Sequence, residues 1–438
     1  MSLKGFDQLV GQFRERLAAM PDKRTGSNTR YTMEDIGMSA FSVFFTQSPS
    51  FLAHQKAMQE KKGANNAQAL FQIGDIPTDN HVRDMLDTVA PEKLFPVYDS
   101  VYEALAQQGI LDTFQGTHNT RLVALDGTWY FSSENIHCKN CSTIEHKSGP
   151  ITHYHSAITP VLVGPGQPYA IPLRPEFITP QDGHNKQDCE ITAGKRWLEK
   201  NGAFYQHGNT TLLGDDLYAH QPFCRLTLRH GYHFIFNCKP DSHKSLYEWV
   251  ELLETGKDRR TLNIRVKNKN KWENHIYRYA NAVPLVEEED ALKVNWCEVT
   301  ITNSQSTQIY KNSFITDFII TDQNVAGIVV SGRARWKIEN ENNNTLKTKG
   351  YHLEHNFGHG KQHLSSLLAT MNILAFLFHS FLTFCDQSYT LIRAKLPTRK
   401  IFFEHIRALT YYMCFANWEA LMDFMMRGLE IGPYRITE

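Results

Sequence analysis

Hydrophobic residues recur at helical spacing through most of the first 115 positions of the chain. Apolar residues three and four positions apart predict helices in four runs: FDQLVGQFRERLAAM, TMEDIGMSAFSVFFTQSPSFLAHQKAMQ, IPTDNHVRDMLDTVAP and PVYDSVYEALAQQG. Thr32 and either Thr78 or Asp79 are suitable N-caps, and Gly109 is a suitable C-cap. The pattern therefore predicts a helical N-terminal domain over residues 1–115.

From Arg121 the pattern changes to alternating, β-rich runs. The runs RLVALDGTWYFSS, THYHSAITPVLVGPG and PYAIPLRPEFI predict strands, CEITAGKRWLEKNG predicts a helix, and TTLLGDDLYAH and HFIFNCKP predict further strands. This order over residues 116–245 predicts an α/β fold with a mixed sheet and flanking helices. Sites in such sheets form beyond the carboxyl ends of strands. Asp126 and Asp215, each at the end of a strand run, are therefore candidate site residues.

Residues 246–322 contain paired β-rich runs, which predict an inserted β subdomain: RTLNIRVKN, WENHIYRYANAVPLV, VNWCEVTITNS and QIYKNSFITD. Within it, the segment from Lys257 to Arg278 has a basic excess interleaved with Trp272 and Tyr277. Such a surface suits phosphates and unstacked bases. An exposed sheet edge, on which lysines prevent pairing with strands of other molecules, explains the same pattern equally well.

Residues 323–385 are interpreted as a final core strand, ending in the apolar run Gly327 to Val330, followed by helices. On the helix predicted from Gly332, Arg335 lies one turn before Glu339, so that a guanidinium adjoins a carboxylate. A surface ion pair explains that spacing alone. Together with two strand-end aspartates, however, the glutamate could bind a pair of divalent cations for phosphoryl transfer.

The C-terminal part of the chain is rich in apolar helical patterns. The run from Leu364 to Phe384 has no charged residue and is long enough to span a bilayer. Asn372 and His379 make it a poor membrane span, so we interpret it as a buried helix. Residues 386–438 are predicted to form a helical C-terminal region.

The amino-acid composition indicates the general class to which the protein belongs. The chain has 438 residues, 12% of them aromatic, and a formal net charge of zero, which predicts an ordered globular protein without a bulk attraction for nucleic acid. Its eight cysteines are irregularly spaced, which is not typical of a disulfide framework. The N-terminal run lacks the apolar core of a signal peptide. We therefore expect a cytoplasmic protein with no membrane partner.

One cysteine and histidine cluster, NIHCKNCSTIEHKSGPITHYH, has metal-ligand character. Cys138 and Cys141 form a CxxC pair, which is half of a tetrahedral zinc site, and His153 and His155 could complete it. No second CxxC or HxxxH at standard spacing accompanies it. Reduced cysteines in a surface hairpin are the alternative. These four residues are the candidate ligands of a structural zinc ion.

With these residues in place, the chain resembles the bacterial insertion-sequence transposases of the DDE superfamily, over about residues 120–385. The resemblance is to members whose ribonuclease-H-like core carries a β-rich insertion before the catalytic glutamate. Its marks are DGT at 126–128, GDDLYAH at 214–220 and RWKIENENNNTLK at 335–347. It implies that Asp126, Asp215 and Glu339 are the catalytic triad and bind two Mg²⁺ or Mn²⁺ ions. Asp216 and Glu341 are the competing acids.

The resemblance also implies contacts with double-stranded DNA, both the terminal inverted repeats and the target, by a homodimer associated with the bacterial nucleoid. The helical domain of residues 1–115 would bind the transposon ends. The residues expected to contact phosphates are Arg335, Lys347 and Lys349. Trp272 or Trp296 could stack a flipped base, and burial of a tryptophan within the β subdomain is the alternative. The chain departs from the family pattern at Gly332, where a tyrosine is usual, and at Leu346, where a lysine is usual.

Three other functions are compatible with these features. A metal-dependent DNA nuclease would use the same triad without strand transfer, and the presence of joined DNA products separates the two. A non-catalytic DNA-binding protein derived from a transposase would retain its activity after Asp126→Ala. An unrelated zinc-binding scaffold would contain stoichiometric zinc and show no magnesium-dependent chemistry.

Overall fold

The computed structural model describes residues 4–26, 29–147, 149–180, 188–206, 209–254, 256–269 and 271–432. The helices within these residues are α1 Lys4–Ala18, α2 Met33–Phe45, α3 Phe51–Gln59, α4 Lys61–Phe71, α5 Asp79–Leu86, α6 Phe95–Gln107, α7 Glu190–Tyr205, α8 Gln221–Arg229, α9 Lys244–Leu252, α10 Val325–Arg333, α11 Asn344–Thr348, α12 Leu364–Cys385, α13 Gln387–Lys395, α14 Arg399–Tyr412 and α15 Trp418–Gly428. A π-helical segment, Ile338–Asn343, runs directly into α11.

The strands are β1 Arg121–Ala124, β2 Gly127–Ser133, β3 Ser142–Glu145, β4 Ile151–Ile158, β5 Val161–Val163, β6 Ile171–Pro172, β7 Glu176–Ile178, β8 Thr210–Gly214, β9 His233–Asn237, β10 Arg259–Asn268, β11 Lys271–Pro284, β12 Lys293–Asn303 and β13 Gln308–Thr316. Nine of them form one sheet in the order β10-β11-β12-β13-β9-β8-β1-β5-β6. β8 is parallel to both β1 and β9, and all other neighbours in this sheet are antiparallel. The predicted α/β fold, a mixed sheet with flanking helices, is confirmed.

The central strands of this sheet are covered on both faces. In β1, Leu122 and Ala124 face one apolar core and Val123 faces the other, because successive side chains point to opposite sides of a strand. Leu212 and Leu213 of β8 divide in the same way. The first of these cores contains α10, and the second continues into the helices of both chain ends.

Each of the three strand runs predicted between residues 121 and 178 is divided between two sheets. β1 pairs with β5, but the chain then bends and β2 pairs with β4, so that Ala124 opposes Val161 and Gly127 opposes Ile158. β4 also pairs with β3 and β7 to complete a separate antiparallel sheet. The first run is interrupted at Asp126 and the second at Pro160. The alternating pattern of hydrophobic residues does not show that the strand ends at these positions.

The prediction of a separate inserted β subdomain over residues 246–322 was wrong in one respect. The predicted strands exist as β10 to β13, but they extend the main sheet, because β13 pairs with β9 through Phe314 and Asn237. Local sequence pattern specifies strands and not their distant partners.

The predicted strand end at Gly327 to Val330 was also wrong, because these residues lie within α10. A run of four apolar residues does not distinguish a buried strand from a buried helix. The glycine at the end of α10 has a packing reason. A side chain at Gly332 would begin 2.7 Å from the Phe314 ring, so the helix can approach the sheet closely only with glycine there.

The helices of the two chain ends pack around α12. A continuous core extends from Phe6 to Met425 and includes α1, α2, α6 and the C-terminal helices. By length and composition α12 is the one described helix that could cross a membrane, yet 89% of its most apolar window is buried inside the protein. Its polar residues are bonded there: Asn372 Nδ2 donates to Tyr351 O at 2.8 Å, and His379 Nδ1 is 2.6 Å from Tyr351 Oη. The prediction of a buried helix is confirmed.

The predicted helix ends in the N-terminal region are also confirmed. The Thr32 and Thr78 side chains accept the backbone N–H of Asp35 and His81. Gly109 follows α6 in a left-handed conformation with φ of 71°. The second predicted run is two helices, α2 and α3, instead of one.

Candidate functional site

Two aspartates follow the carboxyl ends of adjacent parallel strands. Ala124 of β1 pairs with Leu213 of β8, and Leu125 N–H donates to Leu213 O at 2.8 Å. Asp126 and Asp215 each follow two residues after that pair. The sequence-based expectation that both acids lie at one edge of the sheet therefore agrees with the register of the strands.

Arg335 connects the first aspartate to Glu339. Its Nη2 donates to Glu339 Oε1 at 3.1 Å, and its Nη1 lies 3.8 Å from Asp126 Oδ1. Asn343 Nδ2 donates to Asp126 Oδ2 at 3.3 Å, while Thr159 Oγ1 donates to Asn343 Oδ1 at 2.9 Å. The predicted pairing of Arg335 with Glu339 is present, although the glutamate lies on π-helical rather than α-helical backbone. π-Helical turns occur often at functional sites.

Negative charge is concentrated around Asp126. Burial, and after it the neighbouring carboxylate of Glu190, raises the pKa of this carboxyl group to about 7. The Arg335 guanidinium opposes that rise, whereas Glu339 and Asp215 add to it. Four carboxyl groups and one guanidinium therefore act on each other at this edge of the sheet. A carboxylate in such a group favours binding either a proton or a cation.

Glu190 is the acid that sequence reasoning missed. It is the first residue of α7, and its Oε1 accepts the Tyr218 hydroxyl at 2.9 Å. Burial raises its pKa, and the charge of Asp215 contributes in the same direction. A Cβ at position 127 would lie 2.4 Å from Glu190 Oε2, so Gly127 is what allows the carboxylate to reach the site. In the sequence, the glycine directly after Asp126 was an indication that another group approaches the backbone there.

The competing acids are directed elsewhere. Asp216 Oδ1 accepts the Lys239 N–H at 2.6 Å and lies 3.4 Å from His243 Nε2. The charge of Glu341 acts on Lys337, whose pKa is lowered by burial and raised in part by that carboxylate. These contacts agree with the choice of the preceding aspartate and of Glu339.

The phosphate-binding residues predicted after the glutamate have mixed environments. Leu346 is fully buried, so a lysine in that position would lose its hydration. Lys347 Nζ pairs with Glu354 at 2.8 Å, and Lys349 is exposed. Only Lys349 of this group presents an exposed ammonium to solvent.

The two tryptophans expected to contact DNA differ completely in exposure. Trp272, next to the tip of the β10–β11 hairpin, is 45% exposed, and the Arg265 guanidinium lies 4.7 Å from its ring centroid. Trp296 is 0% exposed and packs against Tyr247. The prediction that Trp296 stacks a base was wrong, because β12 lies between two strands and its side chains are buried.

We expect a Trp→Phe substitution to lower the free energy of unfolding at position 296 much more than at position 272. Trp296→Phe leaves a cavity in the core and should lower the free energy of unfolding by about 2 kcal/mol. Trp272→Phe removes little buried volume, because this ring lies on the surface, and should change it by less than about 0.5 kcal/mol. Urea-induced unfolding of both variants measures the difference. Equal losses would show that the two rings are equally buried.

A second cluster lies on the smaller sheet. Cys138, Cys141, His155 and His359 each direct one ligand atom to a common point, and these atoms all lie within 4.8 Å of one another. The prediction of His153 as a ligand was wrong. The His153 ring stacks on another histidine, His137, at 4.5 Å between centroids. His359 comes from the segment before α12, and no spacing in the sequence connects it with the CxxC pair.

Comparison of the chain with models of known protein families gave no match, and comparison with curated proteins gave none either.

Proposed function

We propose that this chain is a DDE-type transposase that cleaves DNA at transposon ends and joins the freed ends to target DNA. The observation that carries the proposal is that Asp126 and Glu339, from distant parts of the chain, share one guanidinium, while Asp215 follows the strand next to that of Asp126. Asp126 and Asp215 follow adjacent parallel strands, and Glu339 is held next to Asp126 by Arg335.

The order of the strands supports a ribonuclease-H-like core. β1, β5 and β6 are antiparallel neighbours, and β8 and β9 are added on the other side of β1, parallel to it. Within this core Asp126 follows the first strand and Asp215 follows the fourth in chain order. The resemblance to DDE transposases implies the same order. β10 to β13 lie between β9 and Glu339, where a β-rich insertion is expected.

The donor set fits magnesium or manganese. These ions prefer hard oxygen ligands, and four carboxyl groups interact at this site: Asp126, Asp215, Glu190 and Glu339. Burial, and after it the charge of Glu190, raises the pKa of Asp126, and a bound divalent cation would favour the ionised carboxylate. Two bound ions would supply an activated water or 3′-hydroxyl and stabilise the leaving 3′-oxygen.

Arg335 is suited to hold the scissile phosphate. Its side chain is 7% exposed, and its Nε and Nη1 atoms have no hydrogen-bond partner among the described residues. Buried N–H groups without partners are rare and indicate a missing acceptor. A phosphate oxygen could accept from either of these N–H groups, and the planar guanidinium orients such bonds more strictly than an ammonium does. Asn343 would meanwhile hold the Asp126 carboxylate in a fixed orientation.

The β10–β11 hairpin is the proposed DNA-contacting surface beyond the site. Arg265 and Trp272 form a stacked pair on it, and Lys267, Lys269 and Lys271 lie near its tip. An exposed aromatic ring among cations suits an unstacked base next to phosphates. Double-stranded DNA is the expected partner, bound by a homodimer that pairs two ends, as the resemblance implies.

The test uses the DNA that flanks the gene. A marker placed between those native flanking segments on a donor plasmid is incubated with the full chain, magnesium and a target plasmid, and the products are sequenced. We expect the 3′ ends of the element joined to target DNA with short direct duplications. Cleavage without joining would instead identify a nuclease. Binding without cleavage would identify a DNA-binding protein, and either result contradicts transposition.

A further inference from the structure

We propose that Cys138, Cys141, His155 and His359 bind one structural zinc ion. The two cysteines are not disulfide-bonded: their sulfur atoms are 3.9 Å apart, whereas a disulfide bond is about 2.05 Å long. The four side chains come from three separate parts of the chain and still converge with one ligand atom each. The inference depends on these atoms alone and not on the proposed transposase activity.

Four of the distances between the ligand atoms agree with the edges of a zinc tetrahedron. Zinc–sulfur bonds of about 2.3 Å and zinc–nitrogen bonds of about 2.05 Å would separate two sulfurs by about 3.8 Å and a sulfur from a nitrogen by about 3.6 Å. The observed Sγ–Sγ distance is 3.9 Å. The Nε2 atom of His155 is 3.6 Å from Cys138 Sγ and 3.5 Å from Cys141 Sγ, and His359 Nε2 is 3.6 Å from Cys141 Sγ.

The backbone around the CxxC pair is arranged to stabilise thiolates. Asn140 N–H donates to Cys138 Sγ at 3.3 Å, and Cys138 N–H donates to Cys141 Sγ at 3.4 Å. The turn is closed by Cys141 N–H donating to Cys138 O at 3.2 Å. Hydrogen bonds to an ionised sulfur are favourable, and metal sites generally orient their ligands through such outer contacts.

Ligand type and number identify the metal and its role. Two sulfur and two nitrogen atoms in a tetrahedral arrangement select zinc, whereas the carboxylates near Asp126 select magnesium. Four protein ligands leave no open position for water or substrate, which is the character of a structural site. The Phe131 ring lies 5.7 Å from the His155 ring and 4.6 Å from the His359 ring, so apolar contacts also support the ligands.

The ion would crosslink the smaller sheet to the segment before α12. Cys138 and Cys141 lie between β2 and β3, His155 lies on β4, and His359 precedes α12. Next to the cluster, Asn140 Nδ2 donates to Gln362 O at 2.8 Å. Zinc would therefore fix the smaller sheet, which begins directly after Asp126, to the segment that leads from Glu339 into α12.

Metal analysis of the purified full chain tests the site. After exchange into chelator-treated buffer, we expect a single zinc ion per chain in the unmodified protein and in His153→Ala, the matched control. His359→Ala and Cys141→Ser should lose it. A chain that takes up no zinc when zinc is supplied would overturn the proposal. Equal loss in His153→Ala, or full retention in His359→Ala, would overturn the ligand set.

Thiol alkylation of the unmodified protein gives a second measurement that does not require a variant to fold. Peptide mass spectrometry should show Cys138 and Cys141 protected with zinc bound and alkylated after zinc is stripped. Cys189 and Cys414 are exposed and should react in both states. Alkylation of Cys138 at the same rate in both states would contradict the proposal. Because neither DNA nor magnesium is present, this outcome is independent of the transposition assay.

Discussion

Asp126→Asn, Asp215→Asn and Glu339→Gln are each expected to lower the rate of DNA cleavage and joining by roughly 10³-fold or more. Each change keeps the shape of the side chain and removes the negative charge that a divalent cation requires. Loss of metal-ion stabilisation of a phosphoryl-transfer transition state costs several kcal/mol, and about 1.4 kcal/mol corresponds to a tenfold change in rate. Initial rates on a labelled transposon-end duplex measure both steps.

The adjacent acids provide matched controls for this prediction. Asp216→Asn and Glu341→Gln make the same chemical change one and two positions away, respectively. An amide oxygen at position 216 can still accept the Lys239 N–H. Both variants should cleave and join at rates close to that of the unmodified protein. If Asp216→Asn were inactive and Asp215→Asn active, the assignment of the second acid would be reversed.

Without divalent cations, the protein should lose stability as the pH rises from about 4 to about 7. The folded-state pKa of Asp126 is about 7 and its ordinary value is 3.8, so the folded state binds this proton more tightly than the unfolded state. A raised carboxyl pKa stabilises the fold below the ordinary value, and the advantage disappears as the pH rises through the folded value. The full difference corresponds to about 4 kcal/mol as an upper limit.

Asp126→Asn isolates this contribution. The amide cannot ionise, so the variant should be less sensitive to pH over the same range and more stable than the unmodified protein above about pH 7. Magnesium should raise the unfolding temperature of the unmodified protein above that pH and have little effect on Asp126→Asn. Burial also raises the pKa of Glu190, which adds a smaller dependence of stability on pH to both proteins. If the stability of the two proteins changed with pH in the same way, ionisation of Asp126 would not be the cause of the pH dependence.

The sequence located those residues whose local pattern carried the signal. Asp126 and Asp215 were found because each terminates an apolar strand run, and Arg335 and Glu339 because four positions separate neighbours on a helix. Helix ends were predictable for the same reason, since a cap depends on nearby backbone. The strand identities of β8 to β13 also followed from local pattern.

What the sequence did not disclose depends on tertiary contact. His359 reaches the cysteines only because the chain returns to the smaller sheet before α12, and no fixed spacing marks that return. Glu190 resembles any acidic residue in the first turn of a helix. The burial of Trp296 follows from the pairing of β12 with β11 and β13, and the pairing of β13 with β9 is set by global topology.

The arrangement around α12 has a consequence for biosynthesis. The ribosome makes α1 and α2 well before α12, the helix against which they pack and whose last residue is Cys385. Until that helix has been translated and has left the exit tunnel, their apolar faces lack their native covering. Contacts between such distant segments slow folding, so α1 and α2 complete their packing only after α12 has been made.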